Sequence, residues 1–413
     1  MTSFFLQNFG CRVNQAEAFE WAEEFQRRGL HLASDPSRSD VVVVNTCTLT
    51  SRADRDVRKF LAKVGRDNPQ ARVIVTGCLV DRDRAALEAI SNITLIANGG
   101  KADLVGMVLG KDASAVREAP ARFRARALLK VQDGCDCHCT FCIIPSVRGP
   151  SRSLALNDVL QRLERLALQG FREVVLTGIH LSSYGEDLVP PSSLLSLLRE
   201  MEKRDGGLRL RLSSLDPRNL DRELRGFLAG SALIRPHFHL SLQNGSDSVL
   251  ARMGRKSRVL EYREILDDLR RLSPDSGLGA DVITGFPGET EEDFRGTLEF
   301  LQSSPLSYFH VFSYSPRPGT TAASWPQVPQ AEIRRRTTLL RRLSLQKSQD
   351  FGRVFLGRNL DAVVIRKTAD RTELLAANYI PVLAPPGAWA EGEAVNVTLE
   401  RVEGRGAWGR VQG

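Results

Sequence analysis

Asp133-Gly-Cys-Asp-Cys-His-Cys-Thr-Phe-Cys-Ile-Ile-Pro145 follows the apolar run Ala127-Leu-Leu-Lys-Val-Gln132, which reads as a strand. In it Cys135, Cys139 and Cys142 are spaced C-x3-C-x2-C. Three thiolates on one tight loop can hold three irons of a cubane cluster and leave the fourth iron open. An open iron can bind and reduce a cofactor, which a fully ligated electron carrier cannot do. The competing reading is a zinc knuckle, but such sites usually close with four nitrogen or sulfur ligands at paired spacing. Cys137 adds a fourth thiol inside the loop. C-x-C spacing cannot replace C-x3-C without moving the backbone, so its side chain is expected to project away from the cluster.

Strand-like runs recur beyond the loop at 173–177, 208–213, 237–242, 279–284 and 308–312, separated by amphipathic helical segments such as 155–169 and 291–302. Six β/α units predict a partial, TIM-like barrel with its active site at the carboxyl ends of the strands. Polar residues expected at that face are Thr177, Gly178 and His180 after the second strand, Ser213 and Ser214 after the third, and Gln243 to Ser246 after the fourth. Asp281 lies within the fifth strand, before Gly285-Phe-Pro-Gly-Glu289. Each of these is a candidate cofactor contact or a plain loop and capping residue. Phe141, just before the last cysteine, is a candidate neighbour for an adenine, or packs on the loop.

Toward the N-terminus the alternation is also β/α, and the class is α/β with an open parallel sheet. Residues 4–9, 40–45 and 72–77 read as strands, and Asn14 with Glu17 reads as a capping pair for a helix reaching Gly29. Cys11, Cys47 and Cys78 each lie at or just past the end of such a strand. Open α/β sheets bind ligands at that edge. Each cysteine alone is a small apolar residue, but together they are expected to converge as a second three-cysteine cluster site.

The formal charge of +8 favours an anionic partner, with nucleic acid the first guess. No run of 18 apolar residues and no signal peptide is legible, which predicts a cytoplasmic chain without a membrane segment. Seven cysteines in a reducing compartment point to metal or redox chemistry rather than disulfides. A loop-like, basic stretch at about 108–127 reads as a linker, which gives domains at 1–112, 121–350 and 351–413. The charged helix at about 330–352 reads as a solvated face. Short strands at 360–366, 379–383, 394–399 and 407–411 predict a small β-barrel. Its Arg366, Lys367 and Arg371 are candidate phosphate contacts, and Tyr379 either stacks on an unpaired base or packs in the core.

Taken together, Gly10-Cys-Arg-Val-Asn-Gln15, Asn45-Thr-Cys47, Thr76-Gly-Cys78, the loop from Gly134 to Pro150 and Gly285-Phe-Pro-Gly-Glu-Thr290 resemble, in content and order, the methylthiotransferases of the radical S-adenosylmethionine (SAM) superfamily. The resemblance covers nearly the whole chain, and Ala377-Asn-Tyr-Ile-Pro-Val382 is similar to the TRAM domain of RNA-modifying enzymes. It implies two 4Fe-4S clusters, one of which binds SAM, and a methylthio group that replaces a hydrogen abstracted by a 5′-deoxyadenosyl radical. It also implies an electron donor such as flavodoxin or ferredoxin. Leu176-Thr-Gly-Ile-His-Leu181 with Ser183-Tyr-Gly185, Arg211-Leu-Ser-Ser214 and His310 to Gly319 look like the branch acting on N6-threonylcarbamoyladenosine next to the anticodon of tRNA. Asp216, Asp136, Cys137 and Asn244 depart from that branch's pattern. The alternatives are a prenylated adenosine such as N6-isopentenyladenosine, an Asp of a ribosomal protein, or, in another class, a non-catalytic Fe–S RNA-binding redox sensor.

Overall fold

Val41-Val-Val-Val-Asn-Thr46 is buried at every position because it is the centre of a sheet covered on both faces. In the computed structural model, which describes residues 2–110, 124–204 and 206–412, the N-terminal sheet holds β1 (Ser3–Asn8), β2 (His31–Leu32), β3 (Val41–Thr46), β4 (Arg72–Gly77) and β5 (Ile93–Ile96). All five are parallel, in the order β2-β1-β3-β4-β5. Val41 and Val43 pack with Phe4, Trp21 and Phe25 on one face, and Val42 and Val44 with Val57 and Leu61 on the other.

The first helix runs from Arg12 to Arg27 with Cys11 at its N-cap and no side-chain cap. The expected capping pair therefore fails. Asn14 and Glu17 lie inside the helix and are buried, 1% and 2% exposed, because both are spent on tertiary partners described below. The expected linker falls mostly on residues 111–123, outside the described residues.

Six parallel strands form the central unit: β6 (Ala127–Lys130), β9 (Glu173–Thr177), β10 (Arg209–Leu212), β11 (His237–Gln243), β12 (Gly277–Thr284) and β13 (Tyr308–Ser313). They pair as β10-β9-β6 and β11-β12-β13. Parallel bridges Leu210–Ile234 and Leu215–Leu240 join the two sheets into a partial barrel. Between β6 and β9, the short strands β7 (Gln132–Asp133) and β8 (Arg152–Ser153) pair antiparallel and close the cysteine loop at its base. Outward residues such as Leu176, Leu240 and Phe309 join the helices in one core. The inward row is polar.

The C-terminal unit is a closed barrel of β14 (Asn359–Lys367), β15 (Thr372–Ala376), β16 (Pro381–Ala384), β17 (Ala394–Glu403) and β18 (Gly406–Val411). Strand β15 was not legible in the sequence. Its Thr-Glu-Leu-Leu-Ala is mostly composed of helix formers, and pairing with β14 and β16 overrides that preference.

Candidate cluster and cofactor site

Three successive β/α units bring Cys11, Cys47 and Cys78 to one edge of the N-terminal sheet. Cys78 opens a short helix straight after β4, and Gly77 there has φ 103°. A side chain at Gly77 would strike the backbone of Thr46, so only glycine lets β4 turn against β3. Burial pushes the Cys47 thiol up to about 12, with Cys11 and Cys78 adding to the shift. Cys11 is raised too, first by burial, with a smaller contribution from Cys78. Cys47 thus feels both of the other cysteines, and Cys11 feels Cys78.

A buried guanidinium stands beside them. Arg148 Nε donates to Cys78 Sγ at 3.3 Å and Nη2 to Asn14 Oδ1 at 2.6 Å. Its Nη1 donates to Glu17 Oε1 at 3.1 Å and Asp133 Oδ1 at 2.7 Å. Glu17 also meets Lys101 Nζ at 2.6 Å and Lys130 Nζ at 3.1 Å. Burial alone would raise Glu17, but Lys101, Arg148 and Lys130 hold it well below the usual carboxylate range. Arg148 sits six residues after Cys142, so one side chain ties the cysteine loop to Cys78 and, through Asn14, to Cys11. In the sequence Arg148 is one basic residue of the Gly134 to Pro150 loop, with nothing local to mark its partners.

Cys135, Cys139 and Cys142 lie on a loop pinned from several sides. Cys135 N donates to Gly149 O at 3.1 Å, Cys142 N to Cys139 O at 3.0 Å and Thr140 N to Met253 O at 3.0 Å. Burial raises the Cys142 thiol to about 11. Cys137 does not project away from its neighbours as expected. Its backbone N–H donates to Cys135 Sγ at 3.4 Å, so the turn brings alternate side chains together. Arg218 Nη2 lies 3.1 Å from Cys137 Sγ, and His180 Nδ1 is 3.9 Å away. The ligand atoms of Cys135, Cys137 and His180 fall within 4.8 Å of one another. A shared hydrogen bond with Cys135, then His180 and Arg218, hold the Cys137 thiol down. Asp216 anchors this corner through Arg218 Nε at 2.9 Å and Arg255 Nη2 at 3.0 Å.

The residues proposed for the cofactor reach this face at different depths. Thr177 ends β9, Ser213 follows β10, and Gln243 ends β11 with φ 73°, in the left-handed region. Thr177 Oγ1 and Ser213 Oγ are buried and have no hydrogen-bond partner among the described residues. Buried hydroxyls rarely stay unpaired, so these two suit a polar ligand. Gly178 is required by packing, since a side chain there would meet Gln132 Oε1 at 2.8 Å. Phe141 packs edge-on against Phe286, centroids 6.3 Å apart. Asp281 is deeper, in the middle of β12, where Oδ1 meets His239 Nε2 at 3.1 Å and His310 Nδ1 at 3.3 Å.

At the opposite end of the barrel the turn after β15 enters the strand mouth. Tyr379, with φ 74°, stacks on His237 at 3.9 Å, and its hydroxyl accepts from Arg12 Nη2 at 2.9 Å. Arg211 donates to Ala377 O at 3.1 Å and Ala376 O at 3.3 Å. Of the two roles read for Tyr379, packing is the one observed. Its ring face is taken by His237 and so is closed to RNA.

The donor sets suit iron–sulfur clusters: all seven cysteines are free thiols, in two groups, with buried cations beside them. The radical SAM superfamily model matches residues 129–301, and the model described as uncharacterized protein family UPF0004 matches residues 3–98. A protein of Aquifex aeolicus named threonylcarbamoyladenosine tRNA methylthiotransferase MtaB is 38% identical over 91% of this chain and 95% of its own. The protein of the same name from Chlamydia pneumoniae is 31% identical over 99% and 98%. This chain belongs to the radical SAM tRNA methylthiotransferases.

A Parafrankia relative named tRNA-2-methylthio-N(6)-dimethylallyladenosine synthase is 32% identical over 88% of this chain and 78% of its own. Among solved structures, the radical SAM methyltransferase TsrM of Kitasatospora setae shares the fold, with a TM-score of 0.57, 16% identity and 78% and 77% of the two chains covered. The methylthiotransferase family implies SAM and a 4Fe-4S cluster and sets aside a non-catalytic redox sensor. Among the described residues no helix is long and apolar enough to cross a membrane.

Proposed function

We propose that this methylthiotransferase installs a methylthio group on N6-threonylcarbamoyladenosine next to the anticodon of tRNA, using two 4Fe-4S clusters. The second cluster is supported by one observation above all: Arg148 donates to Cys78 Sγ and, through Asn14, reaches Cys11, while Cys47 lies close enough to Cys11 and Cys78 to feel their charge. The nucleoside is supported by five relatives that carry its name at 31–38% identity. The Parafrankia relative favours a second reading, in which the chemistry is unchanged and the nucleoside is prenylated.

Cys135, Cys139 and Cys142 would hold the SAM-binding cluster, and Cys11, Cys47 and Cys78 the other. When bound, these groups supply radical hydrogen abstraction on one side and a sulfur to be methylated on the other. The chain's own part is positional. Thr177 and Ser213 offer unpaired hydroxyls to the polar edge of SAM, and Phe141 walls the loop. Arg148 offsets the negative charge of the thiolates on its Cys78 side. Exposed Arg366 and Lys367 on β14 suit tRNA phosphates. Reduction would come from a small electron-transfer protein.

Deletion of the gene followed by mass spectrometry of hydrolysed tRNA tests the substrate. Loss of the methylthio form of threonylcarbamoyladenosine is expected, and loss of only the prenylated methylthio nucleoside would overturn the choice. Anaerobic reconstitution tests the clusters: Cys47→Ala should halve the iron content and abolish methylthiolation while sparing much of the SAM cleavage, whereas Cys139→Ala should abolish both.

A further inference from the structure

The inward row of β13 opens step by step toward the seam with the N-terminal unit. Tyr308 is closed in, its hydroxyl 2.8 Å from His237 Nε2 and 3.2 Å from His239 Nδ1. Two residues on, the His310 side chain is 43% exposed. Two further on, Phe312 is 47% exposed. Neither sits on a loop tip. Both belong to a strand whose outward residues Phe309 and Val311 are in the main core.

The seam itself is built. Arg317 Nη2 donates to Thr48 Oγ1 at 2.9 Å and to Asp54 Oδ2 at 2.5 Å, and Ser51 meets Ser315 at 3.3 Å. These contacts fix the end of β13 against the segment that carries Cys47 and the exposed Leu49. His310 is also held. Asp281 accepts from Nδ1, and Phe312 lies edge-on at 6.5 Å. Its other nitrogen, Nε2, has no hydrogen bond among the described residues. A fixed aromatic ring beside a fixed imidazole edge, on a strand whose end is held against the segment that carries Cys47, has the chemistry that receives an unstacked base: one surface to stack, one polar edge to read.

We propose that Phe312 and His310 form the subsite for the target purine, with Phe312 stacking on the base and His310 Nε2 reading the substituent on its exocyclic nitrogen. This rests on the reading of a modified tRNA nucleoside as substrate, but not on which one. The test separates stacking on the base from contact with SAM.

The reconstituted holoenzyme and Phe312→Ala, Phe312→Trp and His310→Ala variants of matched iron content are assayed on an anticodon stem-loop bearing threonylcarbamoyladenosine. Phe312→Ala is expected to raise KM for the stem-loop by about 5- to 100-fold, with KM for SAM moving far less, and Phe312→Trp to recover most of the loss. The Kd of the modified stem-loop, measured without turnover, should rise in Phe312→Ala and recover in Phe312→Trp. His310→Ala should narrow the preference for the modified over the unmodified stem-loop. An unchanged stem-loop KM with unchanged Kd, or a loss that falls on SAM instead, overturns the proposal. If the wild type acts only on a prenylated stem-loop, the nucleoside assignment fails while the same variants, assayed on that stem-loop, still decide the subsite.

Discussion

Arg148 shows how much one buried side chain carries in this enzyme. Its guanidinium is satisfied by Asn14, Glu17, Asp133 and Cys78, two of them carboxylates. Removing one partner of such a buried network leaves uncompensated charge and costs about 3–5 kcal/mol. Arg148→Met is therefore expected to lower the thermal midpoint and to reduce iron bound per chain, read by calorimetry and metal analysis; an unchanged midpoint would show that Glu17 is neutralised by its lysines alone. Glu173 makes the corresponding case at the base of the barrel. Burial alone would raise it, but Arg211, with Arg126 and Arg235, holds it at about 2. A depressed carboxylate stabilises the fold above its unfolded pKa and loses that contribution as pH falls through the folded value. Unfolding titrations from pH 5 to 2 should show about 3 kcal/mol lost, with a flatter profile in Glu173→Gln.

Among the elements, the turn from Ala377 to Ile380 is what makes the C-terminal barrel part of the catalytic body. It meets β11, β12 and β13 at their amino ends, opposite the cysteine loop. Gly277, the first residue of β12, faces it so closely that a side chain would occupy the place of Asn378 O. Gly277→Ala is expected to destabilise by about 1–3 kcal/mol, the usual range for overpacking, and limited proteolysis should release the C-terminal barrel faster than in the wild type. Tyr379 read equally well as an RNA contact or a core residue in the sequence. Its left-handed backbone and its partners Arg12, His237 and Arg211, which come from distant segments, could not be seen there.

Across the whole molecule the three units are interlocked rather than strung together. Arg12, next to Cys11, touches Tyr379 of the C-terminal barrel, and Arg235 pairs with Asp361. Deleting residues 353–413 would uncover His237 and Arg211 and remove these ties. SAM cleavage is thus expected to fall along with tRNA binding, and retention of full SAM cleavage by the truncated protein would show that the C-terminal barrel is dispensable for it.

The six barrel strands were legible to within two residues at each end, because alternating apolar runs and intervening amphipathic helices are local patterns. The strand-end positions of Cys11, Cys47 and Cys78 were local patterns too, and parallel strands carry all three to one edge of the sheet. What the sequence could not settle was every feature made by side chains far apart in the chain. Asn14 and Glu17 looked like a helix cap, and became buried partners of Arg148 and Lys101. Cys137 looked turned away, and faces Cys135, His180 and Arg218. His239, Asp281 and His310 form a group that no local pattern marks, because they come from three different strands. Local pattern determines the elements and their order; only packing decides which polar groups meet, because burial makes an unpaired charge costly enough to select its partner.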